Sequence, residues 1–363
     1  MTRRVRLALV GLGNVGKAFL GLIGEKEAVL RGRYGLELSL TAVADSSGGL
    51  LDPAGIDLPA LLAHKTASRG VGSFAGGTPG MPAPALAAQA DADLLIEASP
   101  VNLKTGQPGL DCVRVALQRG MGVVLANKGP LVHAFAELTA AAAAASAGLA
   151  YSATVCGALP VINIGRRDLT GCTIHRVRGI FNSTSNSILA AMARGGSYAE
   201  ALRQAQLDGI AEADPSLDVE GWDTANKLVI IANSVLAQPA RLADVTPVRG
   251  ITGITVGQVL EAKERGQVVK LVATAELGDR GYRLSVQPEW LPHDDFLAGV
   301  NGWEMGIVFE TDIMGLQQFK VDERGPLPTA AAVLRDVIDL ISPLPIYRST
   351  NYQEASCLLP RSL

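Results

Sequence analysis

The sequence predicts an α/β protein with two domains, the first of which contains a doubly wound parallel sheet. A glycine-rich turn follows the first apolar strand and leads directly into a helical stretch. Short apolar strands then alternate with helical segments up to about residue 150, which is the pattern of a parallel sheet. The chain has 363 residues, of which 48% are hydrophobic and only 4% aromatic. This length allows two hydrophobic cores.

Composition and charge exclude several classes of protein. The formal net charge is −3 and no basic tract occurs, so we expect no nucleic-acid partner. The four cysteines lack CxxC spacing and the four histidines do not cluster, which argues against a disulfide framework or a zinc site and favours the cytoplasm. No apolar stretch reaches the roughly 20 residues that cross a membrane. Arg3 and Arg4 precede a short apolar run that we interpret as a first strand, not as a signal peptide.

The glycine motif follows the first strand, residues 5–10, and reads Gly11-Leu-Gly13-Asn-Val-Gly16. Gly11 permits a tight turn, Gly13 allows close approach of a pyrophosphate, and Gly16 permits close helix–strand packing. The amino end of the following helix favours an anion. The pattern therefore predicts an NAD or NADP site at Gly11, Gly13, Asn14, Val15 and Gly16.

Asp45 ends the second predicted strand, residues 38–44. An acid at this position binds the ribose 2′-hydroxyl and repels a 2′-phosphate, so Asp45 favours NAD over NADP. Lys65 or Arg69 could reverse this preference. Alternatively, Asp45 only begins the D-S-S-G-G turn. The Gly-, Pro- and Ala-rich residues 46–90 predict a mobile loop or a surface excursion.

Two further strands of the first domain carry polar residues at their ends. Residues 93–98 lead to Ser99-Pro100, and residues 122–126 lead to Asn127-Lys128. Ligands bind at the carboxyl ends of strands in an open parallel sheet, so we expect all four residues to contact the cofactor, and Lys128 could be catalytic. Helices are predicted at residues 108–120 and 131–147, and a strand at residues 149–154.

The pattern changes beyond about residue 150. Alternation predicts strands at residues 173–182, 247–256, 267–277, 282–287 and 305–313. Helices are expected after Ser183, at residues 198–208, and from Pro328 to residue 340, where proline stands near the helix start.

An acidic stretch lies in the middle of this second part. Five carboxylates occur between Glu212 and Asp223, directly before an apolar helix that contains Lys227. Asp223 and Lys227 are four residues apart and so share one helix face. A charge pair that enters a buried helix is costly unless it is partnered, which suggests a function. The alternative is an acidic loop that caps a helix and carries an ordinary ion pair.

Four long motifs resemble those of one family. They are E-A-D-P-S-L-D-V-E-G-W-D-T-A-N-K at 212–227, A-N-K-G-P at 126–130, N-L-K-T-G-Q-P-G at 102–109 and F-N-S-T-S-N-S-I-L at 181–189. In their order along the chain, these motifs resemble those of homoserine dehydrogenase, and the resemblance covers nearly the full chain. The resemblance implies reversible hydride transfer between L-homoserine and L-aspartate 4-semialdehyde with NAD or NADP, in threonine and methionine biosynthesis. It also implies a homodimer.

The resemblance implies a role for each site residue. Lys227 and Lys128 would flank the reacting carbon, and Asp223 would hold the hydroxyl and orient Lys227. Glu212 would receive the substrate ammonium, Ser183 and Thr184 would contact the backbone end of the substrate, and Asp218 would be a supporting charge. These residue types suit the reaction, because an ammonium stabilises the negative charge that develops on the carbonyl oxygen and can donate a proton.

The implied architecture is a Rossmann-like cofactor domain at residues 1–150, rejoined by a C-terminal helix at 327–363. A substrate-binding and dimerisation domain of α+β type would occupy residues 151–326. The chain ends soon after the last helix, so we expect a short form without an ACT regulatory domain.

Three departures from the family pattern leave alternatives open. Val155, Gly157 and Leu159 match backbone positions that bind Na⁺ or K⁺ in relatives, but Ser152 stands where a carboxylate is expected. Ile210 replaces an aromatic residue, and charges replace glycines in the 321–328 loop. A related dehydrogenase for another amino-acid alcohol or aldehyde is therefore a second hypothesis, and a catalytically silent dinucleotide-binding sensor is a third.

Overall fold

The fold is described from a computed structural model, which covers residues 2–67 and 69–341. The strands are β1 Arg3–Val10, β2 Leu36–Asp45, β3 Gly48–Leu51, β4 Thr78–Pro79, β5 Leu94–Glu97, β6 Gly122–Leu125, β7 Leu149–Ala150, β8 Ile174–Ile180, β9 Val245–Val248, β10 Gln267–Gly278, β11 Gly281–Pro292, β12 Glu304–Thr311 and β13 Gly315–Asp322. The helices are α1 Asn14–Glu25, α2 Glu27–Tyr34, α3 Leu58–Thr66, α4 Ala83–Gln89, α5 Gly109–Gln118, α6 Gly129–Ala144, α7 Val161–Asn163, α8 Ser183–Met192, α9 Tyr198–Leu207, α10 Ser216–Val219, α11 Trp222–Ser234, α12 Val256–Glu264 and α13 Leu327–Ile341.

The first sheet has seven strands in the order β4-β3-β2-β1-β5-β6-β7. Strands β2, β1, β5, β6 and β7 are parallel, and β3 and β4 extend one edge in the antiparallel sense. The strand order reverses at β1, and a ligand crevice forms at the carboxyl ends of strands at such a switch point. The predicted α/β fold is confirmed.

The second sheet has six strands in the order β13-β12-β8-β10-β11-β9. Its strands pair in the antiparallel sense, apart from the parallel pair β11 and β9. Helices α8, α11 and α12 pack on one face of it. The last described helix, α13, returns to the first sheet and packs against α1. The remainder of the predicted returning segment, after residue 341, lies outside the described residues.

The prediction for residues 46–90 was wrong. The sequence predicts a mobile loop or surface excursion, but the structure contains β3, α3, β4 and α4 there. Leu50, Leu61 and Leu86 are buried in the cores beside the first sheet. Their spacing among glycines and prolines gives no clear period, so the sequence does not reveal that they anchor the segment.

Two other predicted strands also differ from the structure, and one further strand was not predicted. The strand expected at 149–154 ends at Ala150, because the backbone N–H of Ser152 donates to the Asp336 carboxylate at 2.7 Å instead of to a sheet partner. The strand expected at 247–256 ends at Val248, and α12 begins where Thr255 and Gln258 form a capping box. Strand β13 was not predicted; it is an edge strand with mostly exposed side chains.

No helix among the described residues is both long and apolar enough to cross a membrane.

Candidate active site

The glycine loop connects β1 to α1 and has the geometry of a pyrophosphate cradle. Gly11 has φ +97°, and a Cβ there would stand 2.3 Å from the Ala98 carbonyl carbon. A Cβ at Gly16 would stand 2.2 Å from the Gly11 carbonyl oxygen, whereas one at Gly13 would meet nothing within 4 Å. The loop is therefore closed towards the sheet and open at Gly13, beside Asn14 and Val15 at the amino end of α1. These features fit a dinucleotide.

Asp45 ends β2 and is already partnered. Its carboxylate accepts from Lys65 Nζ at 2.6 Å, from the backbone N–H of Ser47 at 2.8 Å and from that of Val71 at 3.1 Å. Burial alone would raise the pKa of Asp45, but hydrogen bonds from Lys65 and Ser47 outweigh it and lower the pKa. The carboxylate is thus ionised and neutralised by Lys65. Two of the three residues that the sequence analysis weighed for cofactor preference, Asp45 and Lys65, therefore form one ion pair, which does not include Arg69.

Ser99 and Asn127 follow β5 and β6 and lie side by side. Asn127 Nδ2 donates to Ser99 Oγ at 3.2 Å, and Asn127 Oδ1 accepts from the Gly129 N–H at 2.9 Å. Both residues are buried, whereas Pro100 is exposed. The side chain of Asn127 therefore holds the segment that carries Lys128, whereas Pro100 does not line the cleft described below.

A buried carboxylate that the sequence analysis did not identify supports this pair. Glu97, at the end of β5, accepts the backbone N–H of Ser99 at 3.0 Å. Its Oε2 has no hydrogen-bond partner among the described residues. Burial raises the pKa of Glu97 to about 7.

Lys128, Asp223 and Lys227 form one cluster. Lys128, at the start of α6, donates to Asp223 Oδ1. Lys227 lies one turn after Asp223 on α11, and its Nζ stands 2.8 Å from Asp223 Oδ2. Lys227 also donates to the Phe181 carbonyl at 2.6 Å. The predicted helical pair is therefore present, and the first domain supplies a second lysine to the same carboxylate.

Charge coupling dominates the protonation of this cluster. Burial alone would raise the pKa of Asp223, but the ammonium groups of Lys128 and Lys227 lower it far below its ordinary value. Burial alone would lower the pKa of Lys227, but Asp223 raises it above its ordinary value. From the sequence alone, it was open whether burial or the neighbouring carboxylate has the larger effect on the pKa of Lys227. The structure places the carboxylate so close that Lys227 remains an ammonium ion.

Asn182 connects the cluster to a further carboxylate. Its Nδ2 donates to Asp223 Oδ2 at 2.9 Å and to Asp218 Oδ1 at 2.7 Å. Burial, followed by the charge of Asp223, raises the pKa of Asp218. Sequence reasoning missed Asn182, although an asparagine directly before Ser-Thr-Ser is a typical helix cap.

The cluster opens into a cleft of about 440 Å³ between the two sheets. Residues from both parts of the chain line it, including Asn14, Ala126, Lys128, Asn182, Ser183, Lys227, Trp303, Glu323 and Thr329. The glycine loop and the lysine cluster therefore face one space. Trp303 was not predicted as a site residue, because it belongs to no motif that the sequence analysis recognised. Glu323 lies in the 321–328 loop, whose charges the sequence analysis noted only as a departure from the family pattern.

The remaining predicted substrate contacts are placed differently. Ser183 lines the cleft. Thr184 is buried and donates to the Ile210 carbonyl at 3.0 Å, so its hydroxyl holds the loop after α9. Glu212 is exposed in that same loop and does not line the cleft. The structure thus does not bring Glu212 together with the lysine cluster, and its role stays a prediction.

At the predicted cation position, the groups present do not fit a Na⁺ or K⁺ ion. Ser152 Oγ contacts the Asp336 carboxylate at 2.5 Å and accepts from the Arg335 guanidinium at 2.7 Å. The Leu159 carbonyl accepts from Val161, and a Cβ at Gly157 would collide with the Glu323 carboxylate. The carboxylate expected at residue 152 comes from α13 and already binds Ser152. An adjacent guanidinium also repels a cation, so Ser152 binds α13 and does not supply the carboxylate of an ion site.

No group of three or more His, Cys, Asp or Glu side chains within residues 2–67 and 69–341 could hold a metal ion.

Residues 160–338 match the family described as homoserine dehydrogenase. The chain is 35% identical to the homoserine dehydrogenase of Methanocaldococcus jannaschii, over 95% of this chain and 99% of that protein. It is also 35% identical to the NAD(+)-dependent homoserine dehydrogenase of Pseudomonas canavaninivorans, over 92% and 96%. A hyperthermophilic archaeal homoserine dehydrogenase solved in complex with NADPH superimposes with a TM-score of 0.81 and 25% identity, over 95% of this chain and all of that one.

Proposed function

The chain belongs to the homoserine dehydrogenase family, and we propose that Lys128, Asp223 and Lys227 form its catalytic centre. The protein is an NAD(P)-dependent oxidoreductase that transfers a hydride reversibly between L-homoserine and L-aspartate 4-semialdehyde, a step of threonine and methionine biosynthesis. The observation that supports the catalytic assignment is the single buried carboxylate that joins two lysines at the cleft between the sheets.

The two lysines suit the stabilisation of an oxyanion. Lys227 gives one donor to Asp223 and one to the Phe181 carbonyl, so one of its three N–H groups stays available among the described contacts. Lys128 gives one donor to Asp223 and retains two. An ammonium fixed beside the reacting carbonyl stabilises the negative charge that develops during reduction, and either lysine can then protonate that oxygen.

The bound nicotinamide cofactor would supply or accept the hydride, held by Gly11, Gly13, Asn14, Val15 and Gly16. Asp45, Ser99, Pro100 and Asn127 would surround its sugars and nicotinamide. These assignments are supported by the open face at Gly13 and by the position of Asn14 in the same cleft as Lys128. NAD and NADP both remain candidates, because Lys65 neutralises Asp45.

Oxidation of homoserine requires the opposite proton transfer. The hydroxyl must lose its proton, and a lysine can accept that proton only when it is neutral. Because Asp223 raises the pKa of Lys227, neutral Lys227 is scarce near pH 7. Oxidation should therefore accelerate as the pH rises, whereas aldehyde reduction uses the ammonium form that already predominates.

Substrate contacts come from the second domain in this proposal. Ser183, Thr184 and Asp218 would bind or support the amino-acid end, and Glu212 would bind its ammonium group once the exposed loop after α9 closes on the substrate. Support comes from Ser183 in the cleft and from Thr184, which ties that loop to α8. Residues 1–150 with 327–363 would form the cofactor domain and residues 151–326 the substrate domain.

A homodimer through the second sheet is part of the proposal. Strand β13 is an edge strand; Leu316 within it is 60% exposed, and Ile313 just before it is 72% exposed. Such an edge with exposed apolar side chains favours pairing with another chain. Light scattering should give twice the mass of one chain, and Leu316→Lys should reduce it to one, whereas Leu207→Lys at a distant exposed leucine should not.

A cytoplasmic location also belongs to the proposal. Cys112 and Cys156 are free and buried, which fits a reducing compartment. Cell fractionation with immunodetection would test it, and recovery in the periplasmic fraction would contradict it.

The direct test of the function is an absorbance assay at the nicotinamide band. Purified protein is mixed with L-homoserine and either NAD or NADP, and we expect reduction of at least one cofactor. L-serine, which is one methylene shorter, serves as the control substrate. Turnover of another hydroxy amino acid, but not of homoserine, would favour the related dehydrogenase that Ile210 suggests.

A further inference from the structure

Lys270 is a buried lysine outside the catalytic cluster. It lies in the middle of the second sheet on β10 and is only 1% exposed. Its ammonium donates to Asn186 Oδ1 at 2.9 Å, to Asn301 Oδ1 at 3.1 Å and to the Val300 carbonyl. All three acceptors are neutral oxygens. Burial lowers the pKa of Lys270 to about 8. A buried ammonium without a bonded carboxylate lowers the stability of the folded protein. Its presence in the sheet therefore suggests a function.

The three acceptors belong to two elements that meet at this lysine. Asn186 lies on α8, and the other two belong to residues 300–304, which lead into β12. Asn186 also donates to the carbonyls of Gly302 at 3.3 Å and Glu304 at 3.2 Å. Glu304 in turn accepts the Asn301 N–H at 2.8 Å. Residues 300–304 are therefore attached to α8 and β10 by hydrogen bonds along most of their length.

Trp303 stands in this fixed segment, between two cavities. It lines the cleft of about 440 Å³ that contains Lys128, Lys227 and Ser183. It also lines a larger cavity of about 820 Å³ on the second sheet, next to Lys263 and Lys270. Trp303 is therefore a residue that the linings of both spaces share.

We infer that Lys270 is a positioning residue, which fixes residues 300–304 against α8 so that Trp303 closes the substrate side of the active-site cleft. The inference rests on the proposed position of the catalytic centre. Lys270 touches no residue of the Lys128–Asp223–Lys227 cluster among the described contacts, so its effect reaches the substrate only through Trp303 and α8. Because α8 begins at Ser183, the same attachment sets the position of the residue proposed to hold the amino-acid end.

Lys270→Met keeps the length and the apolar stem of the side chain but removes all three donors. We expect the KM for homoserine to rise about tenfold, because a loosened wall contributes less to substrate binding in both the ground and transition states. The kcat should stay within about threefold, and the KM for the cofactor should not change. Lys263→Met is the matched control, since Lys263 lines the same cavity but is exposed and donates only to the Ala193 carbonyl at 3.3 Å.

The position of Trp303 can be read without turnover. The chain has three tryptophans, and Trp222→Phe with Trp290→Phe leaves Trp303 as the sole indole reporter. In this background Lys270→Met should shift the emission to longer wavelength, as the indole gains contact with water, and Lys263→Met should not. Unchanged emission and an unchanged KM in Lys270→Met would overturn the inference.

Trp303→Ala keeps the Lys270 hydrogen bonds and covers the case in which Lys270→Met fails to fold. It should also raise the KM for homoserine about tenfold; an unchanged KM would show that Trp303 is no wall of the substrate site. Failure of the wild type to oxidise homoserine would instead contradict the proposed function, and the emission shift would still decide whether Lys270 positions Trp303.

Discussion

Replacement of Asp223 by asparagine gives the sharpest test of the catalytic cluster. The amide retains the shape of the carboxylate but removes the negative charge that joins Lys128 to Lys227. At 2.8 Å and an effective dielectric constant of about 20, one such pair has a gross Coulomb energy of about 6 kcal/mol. Desolvation offsets part of it, and breaking a buried pair costs about 3–5 kcal/mol. Asp223→Asn should therefore lower Tm by roughly 10 °C.

Asp223→Asn should lower kcat by more than the loss of folded protein can explain. Lys227 loses the partner that fixes it, so we expect kcat to fall about 10²–10³-fold, as for the loss of one preorganised electrostatic group. Burial alone lowers the pKa of Lys227 once Asp223 is neutral. The alkaline rise of homoserine oxidation should therefore move to lower pH. The measurement is kcat against pH at saturating substrate, below the melting temperature of the variant.

Asp336→Asn is the matched control. Asp336 is an equally buried aspartate that binds Ser152 and does not line the cleft. This variant should lose stability but keep kcat within about threefold and retain the wild-type pH profile. If Asp223→Asn also keeps its kcat and its pH profile, Asp223 does not orient the lysines and the proposed centre is wrong.

Three further predictions concern the reaction and the stability. Lys227→Ala should abolish turnover but leave cofactor affinity unchanged by fluorescence titration, and near-normal turnover would exclude Lys227 from the chemistry. Asp45→Ala should lower the KM for NADP relative to that for NAD about tenfold, because it removes a charge that repels a 2′-phosphate and frees Lys65; an unchanged ratio would mark Asp45 as a turn residue. Glu97, with its pKa raised from 4.5 to about 7, holds a proton in the folded state that the unfolded chain releases, so the free energy of unfolding should decrease between pH 4.5 and 7. Glu97→Gln should remove this decrease of at most about 3 kcal/mol, and urea unfolding at pH 5 and pH 8 would measure it.

Much of the first domain could be predicted from the sequence because its signals are local. The strand–glycine–helix motif at Gly11 and the apolar runs that form β5 and β6 are recognisable within short windows. Residues 46–90 could not be predicted in this way. Their buried leucines follow no helical or strand period, and their order comes from packing against distant strands.

In the candidate site, too, local contacts could be predicted from the sequence and contacts between distant segments could not. Asp223 and Lys227 are four residues apart, so the helix alone brings them together. Asn182 reaches both carboxylates only because the start of α8 lies close to α10 and to the first turn of α11. Lys270 has a role only because β10 brings it within hydrogen-bond distance of residues 300–304. These contacts join residues far apart in the chain, and no local spacing encodes them.

By itself, the sequence determined the order of the elements in the first domain, the glycine cradle and the helical Asp223–Lys227 pair, because helix and strand periods fix which neighbours share a face. The resemblance to a family identified Lys128 as a partner. Only the tertiary structure decided that Lys128 and Lys227 share the carboxylate of Asp223. Lys128 and Asp223 are 95 residues apart in the chain. It also decided that Asp45 is neutralised by Lys65 and that Ser152 binds Asp336. The physical reason is that charge state depends on distance and burial, which packing sets.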